Sequence, residues 1–279
     1  MKKILLAAIV MILAACGNGP ASNGGIISIG PSNTEILVGL GAGDSIVAVD
    51  DESVGITGTD LPYFDIMNPN AEQIIALAPD VVFVAGLAAD VGGGEPFRII
   101  SDAGINVVHV PSSDSIEGIK RDIRLIAEAI DLQDAGEGLI AEMEQSIEAV
   151  REISATIAER STVYFEISTP PFMFSFGSGT FLHEMLEIAG AVNVFADRHG
   201  WYSVSDEILI VANPDVILTN VSYIDDPIGE IMNRPGWDVM SAVQSGRIYQ
   251  INTDSSSRPS HRIVYALWEM ARAVYPDYF

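Results

Sequence analysis

Short apolar runs alternate along the first part of the chain with stretches whose apolar positions recur every three or four residues, a pattern that predicts strands separated by helices. Ile26 to Ile29 reads as a strand. Ser32 stands three residues ahead of Glu35, a capping-box spacing that opens a short helix closing at Gly41 or Gly43. Ser45 to Val49 is a second strand, and Ala71 to Leu77 a helix stopped by Pro79. Val81 to Val84 is continuously apolar, as suits a parallel strand covered on both faces. From Ile116 to Arg160 the pattern becomes almost unbroken helix, with Ile140, Met143, Ile147 and Val150 on one stripe. A helix of about 25 residues there would be close to 40 Å long at about 1.5 Å per residue. Strand and helix alternation resumes with Thr162 to Ile167.

The chain also repeats itself. Glu72 to Val84 reads EQIIALAPDVVFV and Glu207 to Thr219 reads EILIVANPDVILT, with glutamate, proline, aspartate and valine in matching places. Proline and aspartate are common where a helix gives way to a strand, but that does not account for the matched glutamates. The fold class is therefore α/β: two Rossmann-like lobes with central parallel sheets, joined by one long backbone helix. The N-terminal lobe spans 26–115, the helical connection 116–160 and the C-terminal lobe 161–279.

Residues 1–15 read as an export signal: Lys2 and Lys3, an apolar run from Ile4 to Leu13, then Ala14 and Ala15. The run is too short to span a bilayer, which takes roughly 20 apolar residues. Leu13, Ala14, Ala15, Cys16 resembles the lipobox of bacterial lipoproteins, which implies a lipid on Cys16 and residence on the extracytoplasmic face of the cell membrane. Cys16 is the only cysteine, so no disulfide forms within the chain. The glycine, asparagine and serine content of residues 16–25 suits a flexible tether.

Composition narrows the function. Hydrophobic residues make up 48% and charged residues 19%, so the chain folds. The formal net charge of -24 excludes a nucleic-acid partner, since phosphate binding needs basic clusters. No phosphate loop and no G-x-S-x-G elbow is present, and nothing in the sequence requires an enzyme.

Candidate binding residues fall in segments that read as loops after strands, where open α/β sheets bind ligands. They are Tyr63 and Phe64, Phe172 and Phe174, Trp201 and Tyr202, and Tyr223, with Phe64 and Phe176 the rings that best suit a core. Arg258 and Arg262 flank the start of the last helix. They suit either an anionic ligand or a local ion pair, and Arg198 is a weaker candidate of the same kind. Of His109, His183, His199 and His261, only His199 and His261 stand in cleft-like loops, which disfavours a bare metal site. Glu72 and Glu207, each in the first turn of its helix, suit either the helix dipole or a pair of docking points for a two-fold partner.

These segments resemble the solute-binding proteins of ABC importers for ferric siderophores, haem and cobalamin, the class with one long helix between lobes. The resemblance rests on GPSNTEIL (Gly30 to Leu37), MNPNAEQIIALAPDVVF (Met67 to Phe83), SGTFLHEMLEIAG (Ser178 to Gly190), WYSVSDEILIVANPDVI (Trp201 to Ile217), RPGW (Arg234 to Trp237) and SRPSHR (Ser257 to Arg262). It implies a monomer with no resident cofactor that carries a metal chelate, a ferric siderophore first, with cobalamin or haem as the alternative. It further implies that Glu72 and Glu207 meet arginines of an ABC permease dimer driven by its ATPase. Trp201, Tyr63 or Phe64, and the turn at Pro170, Pro171 and Phe172 are implied to surround the ligand. A surface lipoprotein that binds another protein is the remote alternative.

Overall fold

The structure, a computed structural model, describes residues 24–90 and 94–279. The signal, Cys16 and the tether as far as residue 23 lie outside the described residues. The N-terminal sheet contains β1 (Ile26–Ile29), β2 (Ile46–Asp50), β3 (Tyr63–Phe64), β4 (Val81–Ala85) and β5 (Asn106–Val110), in the order β3-β2-β1-β4-β5. Every pairing is parallel, and the strand order reverses between β1 and β4. The helices of this lobe are α1 (Pro31–Gly39), α2 (Ala71–Ala76), α3 (Gly86–Ala89) and α4 (Glu95–Asp102).

The connection holds two helices, α5 (Ile116–Ala129) and the long α6 (Gln133–Ser154). Asp131 takes a left-handed φ of 57°, and the Leu132 amide closes back on the Ala127 carbonyl at 2.8 Å. The turn contains neither glycine nor proline, so local sequence gave no warning. The 22 residues of α6 carry the expected stripe of Ile140, Met143, Ile147 and Val150, all buried.

The second lobe contains β6 (Thr162–Glu166), β7 (Phe174–Phe176), β8 (Val192–Asn193), β9 (Trp201–Ser203), β10 (Val216–Thr219) and β11 (Ile248–Gln250). Four of them form a parallel sheet in the order β11-β10-β6-β8, which reverses between β6 and β10, while β7 and β9 form a separate antiparallel ribbon. Helices α7 (Phe181–Ile188), α8 (Asp206–Ala212), α9 (Pro227–Met232), α10 (Ser241–Ser245), α11 (Thr253–Ser257) and α12 (Ile263–Val274) complete it.

Strand alternation distributes the core. In β4, Val81 and Phe83 face inward while Val82 and Val84 join Ile74, Phe97 and Ile100 on the outer side. The inner cluster does not stop at the lobe boundary. It runs from Phe83 through Ile123 of α5 and Met143 of α6 to Phe165 of β6 and Leu267 of α12.

The sequence repeat is a structural repeat. Ala78 and Asn213, each six residues beyond its glutamate, both take left-handed backbone, with φ 47° and 44°. The following aspartates donate their amides at matching places, Asp80 to Gly25 just ahead of β1 and Asp215 to Thr162 at the start of β6, both at 3.0 Å.

The capping box at Ser32 and Glu35 does not form. Gly30 caps α1 with Pro31 in its first turn and no side-chain bond, which puts Ser32 inside the helix. Glu35 is buried and turns toward the other lobe.

Candidate functional site

The reversal between β1 and β4 opens a crevice beyond the carboxyl ends of the strands, the usual place for a ligand in such a sheet. Gly30 makes it, for its φ is 118° and a Cβ there would lie 2.3 Å from the Cβ of Ala85. The Gly30 amide donates to the buried Asp50 at 2.7 Å, and burial raises the Asp50 pKa against the pull of Ser53 and backbone amides. A cavity of about 260 Å³ lies at this crevice, lined among others by Gly30, Met67, Ala85, Ser112 and Arg258. Arg258 comes from the C-terminal lobe, so both lobes contribute to the floor.

The second lobe exposes aromatic rings in the loops after β6 and β10 and on the β7–β9 ribbon. Phe172 is 76% exposed, Tyr223 64% and Trp201 48%, and Phe174 is also exposed. They are held rather than loose. Trp201 packs edge-on against Phe176 at 5.8 Å and Phe181 at 6.5 Å. The Tyr223 hydroxyl accepts from the Thr169 amide at 2.9 Å, tying the loop after β10 to the loop after β6. In the first lobe Tyr63 is 64% exposed.

Two aromatic candidates face the wrong way. Phe64 is buried in the outer core of the first lobe, because neighbours along a strand point to opposite faces and Tyr63 takes the open one. Tyr202 likewise alternates with Trp201 and packs on Phe195 at 5.4 Å, and burial pushes its phenol above the ordinary range. Phe176 is fully buried, in keeping with a core role.

The arginine candidates also change meaning. Arg258 reaches Glu35 at 3.1 Å and Asp254 at 2.9 Å, and Arg262 reaches Glu35 at 3.3 Å. Ser260 donates its hydroxyl to the second Glu35 oxygen at 2.5 Å. The two guanidiniums thus meet two carboxylates, and the principal partner lies more than 200 residues away rather than nearby. Arg198 is exposed and forms no ion pair among the described residues.

A comparable pair at the second switch point escaped sequence reading. Glu166 ends β6, fully buried, and accepts from both terminal nitrogens of Arg234 at 2.6 and 3.0 Å. Arg234 also engages Glu230 and lies over the Trp237 ring at 4.1 Å. The only sequence signal was the RPGW segment, which gave Arg234 no role.

Glu72 and Glu207 are both exposed in the first turns of α2 and α8, without an ion pair among the described residues. Asn70 caps α2, accepting from the Gln73 amide at 3.1 Å. A bond from the Ser205 hydroxyl holds Glu207 below the usual carboxylate range. Among the described residues no three histidines, cysteines or carboxylates gather as a metal site. His183 packs on Asn193, and His109 is exposed on the edge strand β5, where its ring stands edge-on to Phe97 at 6.3 Å.

Comparison with known proteins decides the family, since the sequence profile of the periplasmic binding proteins matches residues 26–254. The chain belongs to that family. An ABC transporter substrate-binding lipoprotein of Bacillus subtilis, YvrC, is 31% identical over 264 residues, covering 91% of this chain and 81% of YvrC. A vitamin B12-binding protein of Vibrio campbellii is 26% identical over 262 residues, covering 92% and 90% of the two chains. The crystal structure of a possible iron-binding, periplasmic solute-binding protein from Staphylococcus epidermidis is 32% identical, with a TM-score of 0.80 and coverage of 90% of this chain and 98% of that one. The chain is a class III substrate-binding protein of ABC importers, a kind of protein that works with a membrane permease and its ATPase. In this binding protein a buried carboxylate paired with arginine stands near each strand switch point, Glu35 after β1 and Glu166 at the end of β6.

Proposed function

We propose that this binding protein captures a corrinoid of the cobalamin class between its lobes and delivers it to the permease, with Glu72 and Glu207 as docking points and a lipid on Cys16 as anchor. The choice of ligand rests on the exposed aromatic rings of the second lobe and on the pairing of Arg258, Arg262 and Arg234 with carboxylates, which leaves Arg198, on the surface, as the one candidate arginine without an ion pair among the described residues. Haem presents two propionates, and many ferric siderophores are anionic. Each of these ligands would want a free guanidinium. A corrinoid is broad, flat and fringed with neutral amides, and it gains from apolar contact with Trp201, Phe172, Phe174 and Tyr223. The surrounding charge of -24 repels an approaching anion further. This reverses the preference for a ferric siderophore that the sequence suggested.

The iron reading keeps one support, the exposed phenols of Tyr63 and Tyr223, which are able to ligate iron. Titration followed by tryptophan fluorescence separates the two. Cyanocobalamin should quench saturably, while haemin and an anionic ferric catecholate should leave the signal flat. The opposite pattern rejects the proposal.

A further inference from the structure

The floor of the cleft contains the parts of an anion site. Helix α1, nine residues long, points its first turn at the cavity through Gly30, Pro31 and Ser32, with no side-chain cap and no acidic residue in that turn. Ser112 and Ser257 also line the cavity, and Arg258 reaches it from the other lobe. A helix start, hydroxyls and a guanidinium are what an oxyanion or carboxylate would seek.

One residue opposes them. Glu35 sits one turn further along α1 with its side chain wholly buried, takes both Arg258 and Arg262, and is held by the Ser260 hydroxyl. We infer that Glu35 is the specificity-determining residue of this cleft: by occupying Arg258 it turns a ready anion site into a neutral floor and so excludes anionic ligands. The inference rests on the corrinoid reading above, since it explains how a cleft with arginine in its floor selects an uncharged ligand.

The carboxylate acts in two ways. It holds the Arg258 guanidinium against α1, and at 3.1 Å its opposite charge offsets much of the arginine's attraction for an anion entering the cavity. Asp254, half exposed, assists from the side of the second lobe at 2.9 Å. Removing Glu35 leaves two guanidiniums facing one carboxylate beside an uncapped helix start.

The test is a gain of binding, which a purely structural role would not produce. In Glu35→Gln, affinity for haemin and for molybdate should rise at least tenfold over wild type and weaken with salt, while cyanocobalamin affinity stays within about threefold. Asp254→Asn removes an exposed charge from the same arginine, and a smaller gain in the same direction is expected; this variant decides the matter if Glu35→Gln fails to fold. Asp44→Asn, an exposed acid outside the site, should change nothing. Folded variants with no gain in anion affinity overturn the role of Glu35. Wild-type protein that binds haemin tightly and ignores cyanocobalamin overturns the corrinoid reading instead, and the role of Glu35 falls with it because no anion exclusion then exists to explain.

Discussion

Glu166 and Arg234 face each other as a two-pronged ion pair inside the second lobe, with 0% and 5% of their side chains exposed. Burial raises the Glu166 pKa against the pull of Arg234, while Glu166 and Glu230 raise that of Arg234 against its own burial, so each charge is held by its partner. Breaking the pair from one side should be severe. Arg234→Met strands a buried carboxylate and is expected to lose about 3–5 kcal/mol in urea unfolding. The double variant Glu166→Leu with Arg234→Met should lose much less than the single one.

Asp122 on α5 carries a carboxyl that burial lifts to a pKa of about 6, against the opposing bond from Ser113. The folded state therefore holds its proton to higher pH than the unfolded state does. Its contribution to stability is intact below the unfolded value of 3.8 and is lost as pH rises through 6. Asp122→Asn should raise stability at pH 7.5 by about 1–3 kcal/mol, since one unit is worth about 1.4 kcal/mol. It should change nothing at pH 3.5. Thermal melts across that range check it.

His261 titrates in the opposite sense. Burial, then the neighbouring Arg262, lowers its pKa to about 4, and its Nδ1 is buried without a hydrogen-bond partner among the described residues. The folded state favours the neutral ring, so stability present above 6.5 is lost as pH falls toward 4. His261→Gln is expected to flatten the acid side of the stability curve between those limits, measured by chemical denaturation at fixed pH.

Trp201→Ala removes an exposed ring that rests on Phe176 and Phe181. Ligand affinity should fall about tenfold or more, in line with the roughly 1–3 kcal/mol carried by a well-packed aromatic contact. The folded protein should survive. Isothermal titration with cyanocobalamin measures the first, and circular dichroism the second.

Glu72→Lys with Glu207→Lys should abolish stimulation of the permease-bound ATPase while cyanocobalamin affinity is unchanged. Both side chains are exposed and clear of the cleft floor.

The sequence showed the lobes because hydrophobic period is a local property, and the alternating faces of β4 turned out as an apolar run predicts. The repeat was legible for the same reason, since helix, left-handed turn, proline and strand follow one another within a dozen residues. What failed was long-range or period-two. Ser32 and Glu35 had the spacing of a local cap, but Glu35 answers to residues in the other lobe, which no window along the chain can reveal. Tyr63 with Phe64, and Trp201 with Tyr202, could not all line a cleft, because adjacent strand residues part to opposite faces. Arg234 stayed hidden because its partner is 68 residues away.

The apolar cluster that passes from Phe83 through α5 and α6 to Phe165 and Leu267 has a mechanical consequence. Each lobe also has an outer cluster of its own, but the inner cluster is shared, so the two halves are expected to melt together. A calorimetric scan should show one endotherm, and a protease that cuts within α6 should release two unfolded pieces rather than two stable ones. The same continuity ties the lobes into one frame and so fixes the distance from Glu72 to Glu207. With those glutamates as the proposed docking points, the spacing offered to a permease is set before any ligand arrives.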